Sequence, residues 1–333
     1  MNKTSVSTLG TGTAQAPSLS TVPKGQRKNR PWPGEKKQFM ESFMHKVFFI
    51  CAFFGILSVA TITLYLLLQG LPAFSEVGVK ELLLETVWQP TASTPKFGIL
   101  YIILTSLVGT FSAIALGVPV AILSALYIAE IAPKLIKKII QPMVELLAAI
   151  PSVVYGLIGI QLLNPLMYSL ELKLFSDDST HQFTGGANLI SAVIVLAIMI
   201  LPTVIHTTQT AISSVEPHLK ASSLALGATP MQTLFKVSLP AAKSGVVSGI
   251  VLGIGRALGE AMAITLVSGG SVQFPTPFNS VRFLTTAIVS EMGYATGLHR
   301  QVLFSIGLVL FVFTMFINLI FNRLTHSDPM KAS

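Results

Sequence analysis

The sequence predicts an all-α polytopic membrane protein with about six transmembrane helices. Of its 333 residues, 51% are hydrophobic and only 11% are charged, whereas a soluble domain carries about 25% charged residues. Six apolar runs are each long enough to cross a bilayer, which takes roughly 20 residues of helix. Because so few charged residues cannot cover this chain in water, we expect lipid to surround most of it.

The apolar runs follow a polar amino-terminal segment. Residues 1–42 are rich in Ser, Thr, Pro and Lys without a periodic apolar pattern, and we predict a disordered cytoplasmic tail there. The runs lie at about 46–69, 98–127, 139–166, 188–209, 244–268 and 301–322. Pro119 and Pro151 fall inside the second and third runs, where they predict kinks or broken helices. We divide the chain into the tail, a first helix with an outer loop over 43–97, a membrane core over 98–322 that contains a cytoplasmic loop over 210–243, and a cytoplasmic carboxy-terminal tail over 323–333.

The basic residues predict the orientation. With the amino terminus in the cytoplasm, 16 of the 22 Lys and Arg fall in cytoplasmic segments and five in outer segments, while Arg256 lies within a span. The positive-inside rule therefore predicts that both termini are cytoplasmic. We attribute the net charge of +8 to this topology and expect no nucleic-acid partner. Cys51 is the only cysteine, which excludes an internal disulfide. No residue spacing suggests a metal site or a catalytic group.

The loop over 210–243 contains clear helix boundaries. Pro217 suits the first turn of a helix, and Gly227 suits the left-handed residue that ends one. Thr229 with Gln232 three residues later predicts a capping box at the start of a second helix, which runs to about Ser238 because Pro240 limits its extension. Two short helices with a sharp joint can dock into another protein, or can lie on the lipid surface as an amphipathic pair.

The fifth run holds two charges within an apolar helix. Arg256 and Glu260 are four residues apart, which places them on one helix face. A lone charge at the centre of the bilayer costs about 2.5–3.5 kcal/mol on insertion scales. One interpretation is an ion pair that only fixes helix packing. In the other, Arg256 meets an anion on its path while Glu260 orients the guanidinium, whose fork can hold two phosphate oxygens.

Small residues on the same helix predict close neighbours. Two rows of glycine occur at intervals of four residues, Gly245, Gly249 and Gly253 in one and Gly255 and Gly259 in the other. Helices in lipid associate through small residues that let their backbones approach closely. Two rows therefore predict neighbouring helices on more than one side.

The loop also resembles a family motif. The run LALGATPMQTLFKVSLP is similar to the cytoplasmic loop of binding-protein-dependent ABC importers, in which Glu-Ala-Ala precedes a spaced Gly and Ile-x-Leu-Pro. The matching positions are Gly227, Val237, Leu239 and Pro240, while Ala221, Ser222 and Ser223 replace Glu-Ala-Ala. The resemblance implies a coupling helix seated in a groove of an ATPase subunit, without any ion pair made through the missing glutamate. The sequence contains no Gly-Lys dipeptide and hence no P-loop, so ATP and Mg²⁺ would bind to that partner.

Three further stretches resemble phosphate permeases of the PstC type: GRALGEAMAITLVSGG, VELLAAIPSVVYGLIG and LLLQGLPAF. With the loop, the likeness extends from about residue 45 to 322. It implies a MetI-like ABC importer permease fold in a bacterial inner membrane, with no catalytic site of its own. It also implies phosphate import by alternating access and three partners: a PstA-like second permease chain, a PstB-like ATPase dimer and a PstS-like extracytoplasmic phosphate-binding protein.

Two other functions remain open from the residues alone. A permease for another oxyanion, such as molybdate or sulfate, would have the same overall pattern. A secondary transporter driven by an ion gradient would usually show a relay of intramembrane carboxylates or paired broken helices in two halves. The sequence has one clear carboxylate within a span, Glu260, and no obvious repeat of halves.

Overall fold

The computed structural model of the protein describes residues 34–326. The chain divides into two compact units, Met1–Val59 and Ala60–Ser333. The described part of the first unit is helical, and its large apolar side chains from Phe39 onward are exposed. Residues 1–33 and 327–333 of the predicted tails lie outside the described residues. The prediction of disorder was wrong for residues 34–42, because a helix already begins at Gly34.

The described part of the chain is mostly helical. The helices are α1 Gly34–Glu76, α2 Val79–Leu84, α3 Leu100–Leu126, α4 Lys134–Ala149, α5 Ser152–Ile158, α6 Asn164–Leu174, α7 Leu189–Ser213, α8 Pro217–Ala225, α9 Pro230–Thr233, α10 Leu239–Ala241, α11 Lys243–Gly259, α12 Met262–Val267, α13 Leu284–Glu291 and α14 Gly297–His326. Two short strands, β1 Trp88–Gln89 and β2 Lys96–Phe97, pair antiparallel. π-Helical turns occupy Tyr127–Ile131, Gly159–Leu163 and Leu234–Ser238.

Among the described residues, five helical segments are long and apolar enough to span a membrane. They are Phe39–Glu76, Leu100–Ile131, Ser152–Leu174, Leu189–Ser213 and Gly297–Phe321. A sixth is reached only if Pro230–Ala241 and Lys243–Gly259, which are bent by 70°, count as one broken span. The predicted number of about six is therefore met by five continuous helices and one interrupted one.

The third and fifth runs differ from the predicted boundaries. The third span begins at Ser152 instead of residue 139, because Pro151 has no N–H to continue α4 and holds Ile150 in an extended conformation. Pro119, in contrast, remains inside α3. The predicted fifth span over 244–268 is interrupted where Glu260 adopts an extended backbone between α11 and α12.

The core is built around α7, the most buried of the five spans. Side chains of α3, α5, α7 and α12 form one cluster, which includes Ala113, Tyr155, Leu196 and Ile264. A second cluster joins α2, α3, α13 and α14. Small residues permit this packing, since a Cβ at Gly117 would lie 3.0 Å from the carbonyl oxygen of Ala197 on α7.

The two glycine rows of α11 differ in their surroundings. A Cβ at Gly245 would lie 2.3 Å from the Cβ of Ala211 on α7, and Gly249 and Gly253 also face α7. A Cβ at Gly255 or Gly259 would meet no atom of residues 34–326 within 4 Å outside its own helix backbone. One row therefore packs inside this chain, and the other faces an open side of α11.

This difference predicts unequal effects of adding one methyl group. We expect Gly245→Ala to lower the stability of the purified protein by about 1–3 kcal/mol, because α7 and α11 must separate. The matched control is Gly255→Ala, for which we expect no loss, since alanine also favours helix by about 1 kcal/mol. Thermal unfolding in detergent measures both. Equal unfolding temperatures for the two variants would contradict the close packing of α11 against α7.

Candidate functional site

The loop between α7 and α11 folds into a helical hairpin, which we call the coupling hairpin (residues 214–242). α8 begins at Pro217, and Gly227 takes a φ of +88° in the joint. The Thr229 side chain accepts from the Gln232 N–H, and the Gln232 side chain accepts from the Thr229 N–H, which forms the capping box. The second arm continues beyond the predicted end near Ser238, because Pro240 lies in the first turn of α10 and loses no hydrogen bond there.

The hairpin presents its joint outward. Ala221, Ser222 and Gly227 are exposed, and Leu226 is 89% exposed at the tip. Ser223, in contrast, turns inward, and its hydroxyl lies 2.9 Å from the Thr233 hydroxyl of the opposite arm. Val237 and Leu239 are half-buried near the membrane core and Pro240 is exposed. The tip therefore has a small exposed apolar surface, and the contact between Ser223 and Thr233 holds the two arms below it together.

An ion pair connects the hairpin to the membrane core. The Lys220 ammonium of α8 pairs with the Glu130 carboxylate in the π-helical turn that ends the α3 span. Both side chains are about three-quarters buried, with exposures of 22% and 26%. The two residues lie 90 positions apart, and sequence reasoning did not find this contact. Lys220 directly precedes Ala221, the position where the motif has its glutamate.

Arg256 lies half-buried near the end of α11. Its Nη1 donates to the Thr203 hydroxyl of α7 across 3.1 Å. A guanidinium has five N–H donors, and the others have no acceptor among the residues that the structure describes. Gly255 and Gly259, on the open side of α11, leave space beside it. Arg256 therefore keeps both its charge and donor capacity for a further anionic group.

Glu260 does not share a helix face with Arg256, which corrects the prediction. α11 ends at Gly259, and within the described residues no ion pair joins the two side chains. The Glu260 carboxylate is buried and accepts from the Ala263 N–H at 3.0 Å, which satisfies a free backbone donor at the start of α12. The Glu260 carbonyl accepts from the Thr285 hydroxyl at 2.7 Å. These contacts hold the break between α11 and α12.

Two substitutions separate the charge of Glu260 from its capping role. Glu260→Gln keeps an oxygen that can accept from Ala263, so we expect an unchanged unfolding temperature. We expect lower transport as well, because the substitution removes a buried negative charge at the break between α11 and α12. Glu260→Ala removes the acceptor, and we expect this variant to lose about 1 kcal/mol in stability relative to Glu260→Gln, as for other helix caps. Thermal unfolding and substrate uptake are measured on both variants. Full transport by Glu260→Gln would leave Glu260 with a purely structural role.

Buried polar clusters on the opposite side of the core were missed by sequence reasoning. Glu291 is 4% exposed and accepts from the Trp88 indole N–H at 3.0 Å, and it also pairs with Arg282 and with His299. Its partner Trp88 is 203 residues away, so no local spacing could indicate the cluster. This network fixes β1 to α13 and α14.

A second cluster holds the loop between α6 and α7. Glu171 is fully buried and accepts from His181, which lies 2.8 Å away, and from the Thr184 N–H at 2.9 Å. In the same loop, the Thr180 hydroxyl and N–H donate to Asp178 and lower the pKa of that carboxyl. No group of three or more His, Cys, Asp or Glu among residues 34–326 could hold a metal ion. We assign both clusters to the folding of the loops.

Part of the chain matches a known protein family. Residues 117–327 match the family described as binding-protein-dependent transport system inner membrane component. That segment contains the coupling hairpin, Arg256 and Glu260. It covers more than half of the chain.

Several curated relatives and a solved structure are also similar. A probable ABC transporter permease protein of Bacillus subtilis, YqgH, is 37% identical over 83% of this chain and 87% of its own length. The phosphate transport system permease protein PstC of Haemophilus influenzae is 34% identical over 73% of this chain and 79% of its own. A chain of a bacterial ABC transporter involved in the import of alginate superimposes with a TM-score of 0.59 at 19% identity, over 90% of this chain and 99% of that one.

Proposed function

Because the chain belongs to the family of binding-protein-dependent transport system inner membrane components, we propose that it is the permease subunit of an ATP-driven phosphate importer. The predicted all-α fold of ABC importer permeases is confirmed by the family match and by the alginate importer. The general class, a multi-pass transport subunit of the inner membrane, follows from the same match. Phosphate as substrate, ATP as energy source and the identity of the partners belong to the proposal.

The observation that carries the proposal is the setting of Arg256. A guanidinium with unused donors stands beside a break in the membrane helix, and the glycine side of α11 leaves it accessible. A guanidinium binds phosphate oxygens through paired, charge-assisted hydrogen bonds. The relatives named PstC are phosphate transport system permeases, which favours phosphate over other oxyanions.

The proposed mechanism uses the two ends of α11, which follows the coupling hairpin at Lys243 and ends at the break before Glu260. We expect the coupling hairpin to sit in a groove of the ATPase subunit, with ATP and Mg²⁺ bound there. Closure of the ATPase pair moves the hairpin, and its second arm leads through α10 directly into α11. The ion then passes between this chain and a second permease chain, close to Arg256, after an extracytoplasmic binding protein delivers it. Alternating access is the result of that motion.

Reconstitution tests the proposal against its alternatives. The chain is expressed with the second permease and ATPase chains of the same organism, purified as a complex and placed in vesicles with the cognate binding protein outside and ATP inside. We expect uptake of radiolabelled phosphate that needs ATP and the binding protein and that excess sulfate or molybdate does not reduce. Uptake of sulfate or molybdate in place of phosphate would assign another oxyanion. Uptake that follows an ion gradient without ATP would assign a secondary transporter.

A further inference from the structure

Helix α4 has three distinct faces. One narrow face, with Ile140 and Val144, packs against buried side chains of α3 and α7 and the π-helical turn between α3 and α4. A second face is apolar and exposed. Its large side chains have exposures of 57–72%: Leu135, Ile139, Met143 and Leu146. None of the residues of α4 is buried, although the helix lies between two membrane spans.

The third face of α4 is basic at its beginning. Lys134, Lys137 and Lys138 lie within the first five residues, with Gln141 following on the same side. None of the three lysines has an ion-pair partner in the part of the chain that the structure describes. The one carboxylate of the helix, Glu145, accepts from Gln141 at 3.3 Å. Three unpaired cations therefore border a broad apolar surface.

The position of α4 places it at a membrane surface. The span of α3 ends at Ile131, and the next span begins at Ser152. α4 connects them and is not itself among the segments that can span a bilayer. The π-helical turn just before α4 pairs through Glu130 with the coupling hairpin, so α4 lies on the side that is predicted to be cytoplasmic. At its other end, the Tyr155 hydroxyl donates to the Leu147 carbonyl at 2.7 Å.

We propose that α4 lies in the plane of the cytoplasmic leaflet and binds anionic phospholipid. Its apolar face enters the acyl chains, as in other interfacial amphipathic helices. Lys134, Lys137 and Lys138 contact the negatively charged headgroups, which attract basic residues near the surface. Charge complementarity favours this occupant over a second permease chain, since lysines at the edge of an apolar face suit a charged leaflet. The proposal depends on the membrane placement of the chain and is independent of the ion transported.

A depth measurement tests the apolar face. In a Cys51→Ser background, the Leu146→Cys and Lys138→Cys variants each carry an environment-sensitive fluorophore, and the assembled complex is placed in phosphatidylglycerol-containing vesicles. We expect lipids brominated near the headgroup end of the acyl chain to quench the label at residue 146 severalfold more than the label at residue 138, because the apolar face of such a helix is buried about 5–10 Å into the boundary between headgroups and acyl chains. Equal quenching at the two positions would overturn the in-plane orientation. Protection of residue 146 by the second permease chain, seen as quenching only before assembly, would overturn the lipid assignment.

A charge substitution tests the headgroup contact. The triple variant Lys134→Gln, Lys137→Gln, Lys138→Gln is compared with a control of equal charge change on the predicted outer side, Lys80→Gln, Lys96→Gln, Lys173→Gln. Native mass spectrometry measures phosphatidylglycerol retained after stepwise delipidation. Each lysine near an anionic surface is worth about fivefold in affinity, so we expect strong loss for the α4 variant alone. Equal retention by the two variants would overturn the proposal, whichever substrate the transporter carries.

Discussion

Replacing Arg256 with alanine is expected to abolish phosphate uptake while ATP hydrolysis by the assembled complex continues. The substitution removes the guanidinium that stands at the break after α11, together with its bond to Thr203. Hydrogen bonds to charged groups contribute about 1.5–3 kcal/mol each, so the loss of two such bonds to the passing ion lowers uptake by about 100-fold or more. Vesicle uptake and phosphate release from ATP are measured on the same preparation.

The controls for this prediction isolate the charge. Arg300→Ala makes the same chemical change at an exposed position of α14 and should leave uptake unaltered. Thr203→Val removes only the partner of Arg256, so we expect partial loss. Arg256→Lys keeps the charge without the fork, and intermediate uptake is expected because an ammonium cannot bind two oxygens in the same plane. Wild-type uptake by Arg256→Ala would remove Arg256 from the ion path.

Reversing either charge of the Glu130–Lys220 pair is expected to uncouple ATP hydrolysis from uptake. The pair fixes α8 of the coupling hairpin to the end of the α3 span, next to the position where the family motif has its glutamate. In Glu130→Lys or Lys220→Glu, two like charges face each other in a mostly buried contact. We expect fewer phosphate ions imported per ATP, by about fivefold or more, since contacting pairs couple by about 0.5–3 kcal/mol.

The double exchange, Glu130→Lys with Lys220→Glu, restores opposite charges and should recover most of the coupling. The matched control is Lys96→Glu, which reverses one charge of the pair with Glu85. That pair is 3.9 Å apart with side chains 53% and 40% exposed, so solvent screens it and little effect is expected. Failure of the double exchange to recover coupling, with both single variants impaired, would show that the two residues act separately.

Much of the coupling hairpin could be predicted because its signals are local. A proline in a first turn, a left-handed glycine and a capping box each involve residues at most three positions apart, and the same chemistry forms them wherever the segment lies. The hairpin therefore has the predicted start at Pro217, joint at Gly227 and cap at Thr229. The end of its second arm was misplaced, since the π-helical turn Leu234–Ser238 passes smoothly into α10.

The break at Glu260 could not be predicted from the spacing of Arg256 and Glu260. The stretch is apolar enough to continue as one helix, and a helical period of four residues would pair the two charges. In the folded chain the Glu260 carboxylate instead caps α12, and the Thr285 hydroxyl of α13 donates to the Glu260 carbonyl. The cap on Ala263 and the contact with α13 together therefore outweigh the local preference for a continuous helix.

The sequence by itself determined that lipid surrounds most of the chain, the approximate number of transmembrane helices and the family. It also determined the helix boundaries that depend on nearby residues. Hydrophobicity and local capping are properties of short segments, so they can be predicted without knowledge of the fold. Only the tertiary structure decided that Arg256 donates to Thr203 and that Lys220 pairs with Glu130. The same holds for the contacts that Glu291 makes with Trp88, Arg282 and His299. Those partners lie far apart along the chain or on different elements, and close packing of the helices brings their polar groups within hydrogen-bond distance.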